Sequence, residues 1–183
     1  MPRVIVVDYE PSWPAVFAQI SGPILDAVSD IAIAIEHVGS TAVRGLAAKP
    51  VIDIDVVVPR GRVADAIARL ETLGYEHRGD LGVPQREAFR RPPGLPRHHL
   101  YLCPEGSLAL ANHLAVRDYL RAHPVEARAY GELKKRLAGE FAHDIDGYIA
   151  GKTDFLLAIL RTSGLEPPLL DDIEHINRRP GDA

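Results

Sequence analysis

The chain has 183 residues, of which 46% are hydrophobic and 25% charged, the balance of a folded globular protein rather than a disordered one. The formal net charge of −4 provides no overall positive field for a long polyanion, which disfavours nucleic acid as a partner and favours a small anionic ligand. The single cysteine, Cys103, excludes an internal disulfide and is consistent with a reducing compartment.

The sequence gives no sign of membrane association. No apolar run approaches the roughly 20 residues that span a bilayer. The first residues, MPRVIVVDYEP, reach an acid and a proline too early for a signal peptide. We therefore expect a cytoplasmic protein, and the sequence does not specify an oligomeric state.

The first half of the chain alternates strand and helix patterns. A helix is predicted to begin at the N-cap Ser12 and to bend at Gly22-Pro23, and an amphipathic helix is predicted over residues 62–73, closed by Gly74. Short runs rich in β-branched residues predict strands at residues 3–7, 31–35 and 51–58.

The second half begins with a hairpin pattern and continues with helices. Two alternating runs, residues 87–91 and 98–103, flank the turn-forming segment PPGLP and predict an antiparallel hairpin. Helices are then predicted from Ser107 to His123, from Pro124 onward and from Ile145 to Thr162.

These elements predict an α+β fold in which helices flank a mixed β-sheet and a helical portion follows it. We expect a single domain over residues 1–165, with an α/β core at about 1–104 and a helical portion at about 105–165. Residues 166–183, which contain two proline motifs and several acids, are predicted to form an exposed tail.

Gly39 and Ser40 follow the second predicted strand, where a short helical segment, residues 41–46, is predicted to begin. Glycine allows the backbone to approach an anion closely, while the serine hydroxyl and free backbone N–H groups donate to phosphate oxygens. This pattern indicates a phosphate-binding turn, and an ordinary turn at a strand end is the alternative.

Asp53 and Asp55 lie within the strand pattern VIDIDVVV. Because side chains alternate along a strand, both carboxylates are expected on one face, where their repulsion favours a divalent cation. Mg²⁺ suits such a pair, since it binds one or two protein oxygens and completes its shell with water and substrate phosphates. The alternative is that both acids face solvent on a half-exposed strand.

Two cations lie between these motifs. Arg44 could bind phosphate through its planar fork, and Lys49 could bind it as a point charge. Ordinary solvated loop cations explain them equally well.

The segment HVGSTAVRGLAAKPVIDIDV resembles the signature of the GrpB family, which is assigned to the nucleotidyltransferase superfamily. The resemblance extends over nearly the whole chain, through YEPSWPAVF, HHLYLCPEGS, VRDYLRAHPVEARAYGELKKRLA and YIAGKTDFL. The family is also similar to the domain appended to some bacterial dephospho-CoA kinases. The resemblance implies a nucleotidyltransferase-like mixed sheet.

The superfamily pattern implies site residues as well. Its Gly-Ser turn corresponds to Gly39 and Ser40, and its Asp-x-Asp strand to Asp53 and Asp55, with a third metal-binding acid on a neighbouring strand. Glu87 is the expected third acid.

The alternative to Glu87 is a histidine in place of the third acid, with His99 and Tyr101 on one face of the last predicted strand. A protein with that change would bind nucleotide without transferring it. The superfamily also implies a phosphate-binding base on a C-terminal helix, which corresponds to Lys152; an ordinary surface lysine is the alternative.

The resemblance therefore implies a Mg²⁺-dependent protein that binds a nucleoside triphosphate, or a related phosphorylated small molecule, and transfers a nucleotidyl group to a hydroxyl or amine. The alternative is a non-catalytic nucleotide- or CoA-binding module that assists a partner enzyme. The two hypotheses share one binding site and differ only in turnover.

Overall fold

The computed structural model describes residues 3–178, which contain six α-helices and five β-strands. The chain divides into two compact units. The sheet unit comprises Pro11–Ala42 and Val51–Leu114. The helical unit comprises residues 1–10, 43–50 and 115–183, of which 3–10, 43–50 and 115–178 are described. This division interleaves segments of the chain instead of following the predicted boundary near residue 104.

The sheet unit contains one mixed five-stranded sheet in the order β1-β2-β5-β4-β3. The strands are β1 Ala34–Val38, β2 Ile52–Val58, β3 Glu76–His77, β4 Glu87–Arg90 and β5 His98–Pro104. Strands β2 and β5 are parallel, and the other three neighbouring pairs are antiparallel. The predicted α+β class with a mixed sheet is confirmed, and β4 and β5 form the predicted hairpin.

The helices follow the predicted order closely. They are α1 Trp13–Val28, α2 Val63–Thr72, α3 Leu108–Ala122, α4 Pro124–Glu140, α5 Ile145–Thr162 and α6 Pro167–Asn177. Helix α1 continues through Pro23, where a bend was predicted. Over the described residues, no helix combines the length and the apolar character that crossing a bilayer requires.

One face of the sheet is an apolar core. Helices α1 and α2 pack on this face, against β2 and β5. The apolar side chains that β2 and β5 bury on this face include Ile52, Ile54, Val56, Val58, Leu100 and Leu102. A shift of β2 by one residue would turn these apolar side chains away from the helices, so their burial fixes the register of the strand.

Helix α3 covers part of the opposite face. Its Ala109, Leu110 and Leu114 pack against Val57 of β2 and Cys103 of β5. Burial raises the pKa of the Cys103 thiol, which stays protonated. The acids of β2 lie on this same face, nearer the start of the strand.

Two predicted strands differ from the structure. Residues 3–7 form only an isolated bridge between Val7 and Ala48, because Val4 is buried within the helical unit and donates its N–H to Ala142 O instead of entering a sheet. Strand β1 begins at Ala34 instead of Ile31, because the N–H groups of Ile31 and Ala32 bond to Val28 O at the end of α1.

The helical unit has an aromatic and aliphatic core. The Tyr130 and Phe155 rings stack with their centroids 4.9 Å apart. A Cβ built on Gly131 would lie 3.5 Å from Ala47, so a small residue lets α4 approach the segment 43–50. The buried residues of this core are Val43, Leu46, Leu120, Ala127, Tyr130 and Ile159.

The residues predicted as a tail include a helix. Helix α6 buries Leu170 and Ile173 and packs on α5, and Arg178 pairs with Asp154 at 2.6 Å. Because apolar residues at helical spacing can be buried against a neighbouring helix, this segment is ordered as a helix. The rest of the predicted tail, residues 179–183, lies outside the described residues.

His98 generates a prediction on pH dependence. Its Nδ1 donates to Pro96 O at 2.7 Å, and its Nε2 lies 2.9 Å from the Tyr75 hydroxyl, from which a neutral ring accepts. Burial lowers the pKa of His98 below its ordinary 6.5. The unfolded chain therefore binds this proton first, so the stability contributed by neutral His98 is complete above pH 6.5 and is lost as the pH falls toward the lowered folded-state pKa.

We expect His98→Asn to flatten the loss of unfolding free energy below pH 6.5, measured by urea denaturation at a series of pH values. Tyr75→Phe is the control, because it removes the hydroxyl partner and leaves the buried imidazole in place. Parallel pH profiles for the wild type and His98→Asn would contradict this assignment.

Candidate functional site

The candidate site is built on β2, whose register places Asp53 and Asp55 on the face away from α1 and α2. Asp53 pairs with His99 of β5, and Asp55 pairs with Tyr101. Asp55 is 0% exposed, whereas the Asp53 side chain is 28% exposed. The structure therefore brings the two acids to one face, with one carboxylate fully buried and one reachable by solvent.

The Gly39 bend contacts the first of these carboxylates directly. Gly39 has φ +70°, and a Cβ built there would overlap Asp53 Oδ2 and lie 3.0 Å from Asp53 Cγ. Only glycine combines this backbone conformation with this close approach. The bend after β1 and the acid of β2 thus lie in contact.

Thr41 fixes this bend to the start of β2. Its hydroxyl donates to Val51 O at 3.3 Å and lies 3.0 Å from His37 Nε2. The His37 ring stacks on Phe17 with the centroids 4.6 Å apart. Since His37 pairs with Ile54 in the register, it lies on the face opposite the two acids and is not brought to them.

Ser40 begins a single 3₁₀ turn, Ser40–Ala42, where a longer helical segment was predicted. Three residues align too few peptide dipoles for a helix macrodipole to favour an anion there. Any phosphate contact at this bend therefore depends on the backbone N–H groups and the Ser40 hydroxyl.

Each acid is hydrogen-bonded to a histidine. His99 Nδ1 donates to Asp53 Oδ1 at 2.8 Å, and His113 Nδ1 donates to Asp55 Oδ2 at 2.7 Å. These bonds restrict the rotation of both carboxylates. His113 comes from α3 and was not predicted, because its position depends on tertiary packing that no local motif in LALANHLAV reveals.

Tyr101 lies between the two histidines. Its ring centroid is 6.2 Å from that of His99 and 5.9 Å from that of His113. Burial raises the pKa of Tyr101 to about 12, and the negative charge of Asp53 adds to the effect. Tyr101 is therefore a neutral phenol at physiological pH.

Two buried polar atoms near this face lack a hydrogen-bond partner within residues 3–178: Asp55 Oδ1 and Arg86 Nε. The Arg86 guanidinium lies over the Tyr101 ring, 4.4 Å from its centroid. An unsatisfied buried group carries a desolvation cost of about 1–3 kcal/mol. One acceptor and one donor at this face thus have hydrogen-bonding capacity that no described group fills.

Glu87, the expected third acid, is not brought to the pair. It pairs with Leu102 in the register, whereas its neighbour Ala88 pairs with Tyr101. Strand alternation therefore directs Glu87 to the other face, where His77 Nε2 lies 2.6 Å from its carboxylate. Across the described part of the chain, no group of three or more His, Cys, Asp or Glu side chains could hold a metal ion.

The residues present fit a magnesium site of the two-carboxylate kind. The buried Asp55 Oδ1 has no partner among the described residues, and the missing Cβ of Gly39 leaves the backbone against Asp53. Mg²⁺ is often bound through one or two carboxylates, with water and phosphate oxygens completing its shell. A three-acid site that includes Glu87 does not fit.

The three candidate phosphate-binding cations belong to the helical unit. Arg44 is exposed. The ammonium groups of Lys49 and Lys152 lie 5.9 and 5.0 Å from the centroid of the buried Tyr148 ring, so these two lysines share one phenol. Burial raises the pKa of Tyr148 to about 12, so the ring stays neutral beside them.

The fold and the site define an α+β protein with a pair of acids on the face of a mixed sheet. The sequence profile of the GrpB protein family matches residues 3–162, and the chain belongs to this family. The crystal structure of GrpB from Enterococcus faecalis matches with a TM-score of 0.77 and 34% identity, covering 87% of this chain and 96% of that one.

Two curated relatives are longer than the region that matches this chain. The chain is 39% identical to the UPF0157 protein PA4798 of Pseudomonas aeruginosa, covering 86% of this chain and 66% of that protein. It is 33% identical to the UPF0157 protein YqkA of Bacillus subtilis, covering 84% of this chain and 45% of YqkA. The chain thus spans about half to two thirds of the length of these relatives.

The expected similarity to dephospho-CoA kinases is confirmed. The chain is 32% identical over 177 residues to Dephospho-CoA kinase of Mycolicibacterium paratuberculosis. The match covers 81% of this chain and 43% of that protein. A domain similar to this chain is therefore part of a larger protein in that organism.

The contact between Gly39 and Asp53 predicts the effect of adding a methyl group. Gly39→Ala introduces left-handed strain and an overlap with the carboxylate, whereas Gly45→Ala, at φ +81°, meets no described atom within 4 Å. We expect Gly45→Ala to cost about 1–2 kcal/mol of unfolding free energy and Gly39→Ala to cost about 1–3 kcal/mol more.

Chemical denaturation measures both costs, and Asp53→Ala tests their origin. In the background of Asp53→Ala, Gly39→Ala should cost no more than Gly45→Ala, because the overlapping carboxylate is gone. An extra cost of Gly39→Ala that persists without the carboxylate would show that its origin lies elsewhere.

Proposed function

We propose that this protein binds a nucleoside triphosphate with Mg²⁺ at Asp53 and Asp55 and transfers its nucleotidyl group to the hydroxyl or amine of a small molecule. The observation that carries the proposal is the contact between the Gly39 bend and Asp53 beside a buried Asp55 oxygen without a described partner. A carboxylate pair beside a backbone bend suits a cation and the phosphate bound to it.

The proposed roles follow from the chemistry of each residue. Asp53 and Asp55 hold the cation, and the backbone of Gly39 with the hydroxyl of Ser40 seats a phosphate. When bound, the cation would polarise the α-phosphate and neutralise the negative charge of the phosphate oxygens. Arg44, Lys49 and Lys152 stay the further cations that we propose to bind phosphate oxygens.

His99 and His113 support this arrangement because they orient the two carboxylates. Because His99 and His113 each donate to one oxygen of an aspartate, the other oxygen of each carboxylate keeps a defined direction. Outer hydrogen bonds of this kind orient metal-binding carboxylates. Positioning and electrostatics, rather than a covalent step on the protein, would then provide most of the acceleration.

The binding step is tested by replacing both acids. We expect Asp53→Asn with Asp55→Asn to abolish Mg²⁺-dependent binding of ATP or CTP in calorimetric titration. The melting temperature should stay near or above that of the wild type, because the change removes carboxylate repulsion while amide oxygens still accept from the imidazoles.

The matched control is Asp26→Asn with Asp65→Asn, which changes the net charge equally at exposed positions of α1 and α2. Its titration should equal that of the wild type. Nucleotide binding that survives in the Asp53/Asp55 variant would refute the proposed site.

The second candidate function is a non-catalytic nucleotide- or CoA-binding module that assists a partner enzyme. It is favoured by the placement of Glu87 on the opposite face, which removes the expected third acid from the site. The match to part of a dephospho-CoA kinase is consistent with it, since in that protein the similar region accompanies further sequence.

Pyrophosphate release separates the two functions. For a transferase, we expect ATP or CTP with Mg²⁺ and a pool of small metabolites to yield pyrophosphate, at a rate that the Asp53/Asp55 variant loses. Binding of the nucleotide without any pyrophosphate above the level of that variant would favour the accessory module.

A further inference from the structure

Arg86 is a partly buried cation to which the proposed function gives no role. It immediately precedes β4, two residues before Ala88, so strand alternation places it on the face of Tyr101 and the two acids. Its guanidinium lies over the Tyr101 ring, 4.4 Å from the centroid, while its buried Nε has no partner among the described residues.

The backbone before Arg86 adopts a conformation that non-glycine residues rarely occupy. Gln85 has φ 58° and Leu81 has φ 48°. The Gln85 side chain accepts from Arg60 Nη1 at 3.1 Å, and Arg60 Nη2 also donates to Gly106 O at 3.3 Å. Such backbone strain persists where surrounding contacts over-determine it, and it clusters at functional sites. These contacts hold the segment that aims Arg86 at Tyr101.

The contacts of Arg86 leave its hydrogen-bonding capacity open. Stacking on Tyr101 occupies a face of the guanidinium, whereas its N–H groups lie at the edge of the plane. A planar fork of donors matches the oxygens of a phosphate or carboxylate. An oxyanion is therefore the class of ligand that could accept hydrogen bonds from the edge of this guanidinium.

The charges around Arg86 indicate which kind of oxyanion could bind there. The Arg86 cation and the Asp55 carboxylate both act on Tyr101 and on Cys103, Arg86 lowering their pKa values and Asp55 raising them. A free anion beside these carboxylates would be repelled, whereas an anion that arrives bound to a divalent cation would not. A metal-bound phosphate group satisfies both partners.

We propose that Arg86 binds a phosphate group of the metal-bound ligand held at Asp53 and Asp55, and so selects a polyphosphate over an uncharged ligand. This inference rests on the proposed function, because it concerns the same ligand. It adds Arg86 to the proposed phosphate-binding residues, from the sheet face on which Asp53 and Asp55 lie. If Arg86 served only to pack Tyr101, its removal would lower stability and leave ligand affinity unchanged.

The test uses Mg²⁺ with tripolyphosphate, which has neither base nor sugar, in calorimetric titration of the full chain. We expect Arg86→Met to weaken binding about tenfold or more, since hydrogen bonds to charged groups are among the strongest in proteins. Arg86→Lys should bind with intermediate affinity, because it keeps the charge and loses the planar fork.

The matched control is Arg90→Met on the same strand face. Arg90 is exposed and pairs with Glu76 at 3.5 Å, so its loss should leave the affinity within twofold of wild type. Should Arg86→Met fail to fold, Arg86→Gln carries the same comparison. The proposal is overturned if the wild type does not bind tripolyphosphate, or if a folded Arg86→Met or Arg86→Gln protein binds it as tightly as the wild type.

The outcomes also separate this inference from the proposed function. Nucleotide binding that requires Asp53 and Asp55 but not Arg86 would retain the proposed function and remove Arg86 from the site. Tripolyphosphate binding that requires Arg86 but neither Mg²⁺ nor the two acids would retain an anion site at Arg86 and refute the proposed function.

Discussion

The register of β2 between β1 and β5 is the constraint on which the candidate site depends. Burial of Ile52, Ile54 and Val56 beneath α1 and α2 turns the intervening Asp53 and Asp55 to the opposite face. The same alternation thus fixes the apolar side chains and the two acids. A one-residue slip of β2 would expose the apolar side chains and bury the acids against the apolar core. The same register sets His99 and Tyr101 beside the acids and sends Glu87 away from them.

Asp53 and Asp55 carry like charges on one face of β2, and their repulsion needs compensation. The fold compensates the two carboxylates to different extents. Asp53 is reachable by solvent and contacts the Gly39 bend, while His99 donates to its other oxygen. Asp55 is wholly buried, and His113 satisfies only one of its oxygens. Since a buried carboxylate oxygen without a partner is costly, Asp55 is the position at which a ligand can contribute most to stability.

The features predicted from the sequence depend on local pattern. Alternation in VIDIDVVV predicted the strand that carries Asp53 and Asp55, and the PPGLP turn predicted the hairpin of β4 and β5. Features that depend on tertiary packing were not predictable in this way. The residues 3–7 have strand propensity yet pack against helices, and His113 reaches Asp55 only because α3 crosses the sheet face. Propensity and periodicity contain no information on such long-range partners.

The two buried atoms without a hydrogen-bond partner at this face belong to groups of opposite charge. This restricts the chemical class of ligand that could satisfy both. Asp55 Oδ1 is a buried acceptor with negative charge, and Arg86 Nε is a buried donor with positive charge. A simple anion would satisfy Arg86 and be repelled by Asp55, whereas a simple cation would satisfy Asp55 and be repelled by Arg86. A ligand that contains a cation and an oxyanion in contact satisfies both at once, and a metal-bound polyphosphate is the common biological ligand with that pair of charges. The same reasoning explains why neither ion alone is expected to bind tightly here.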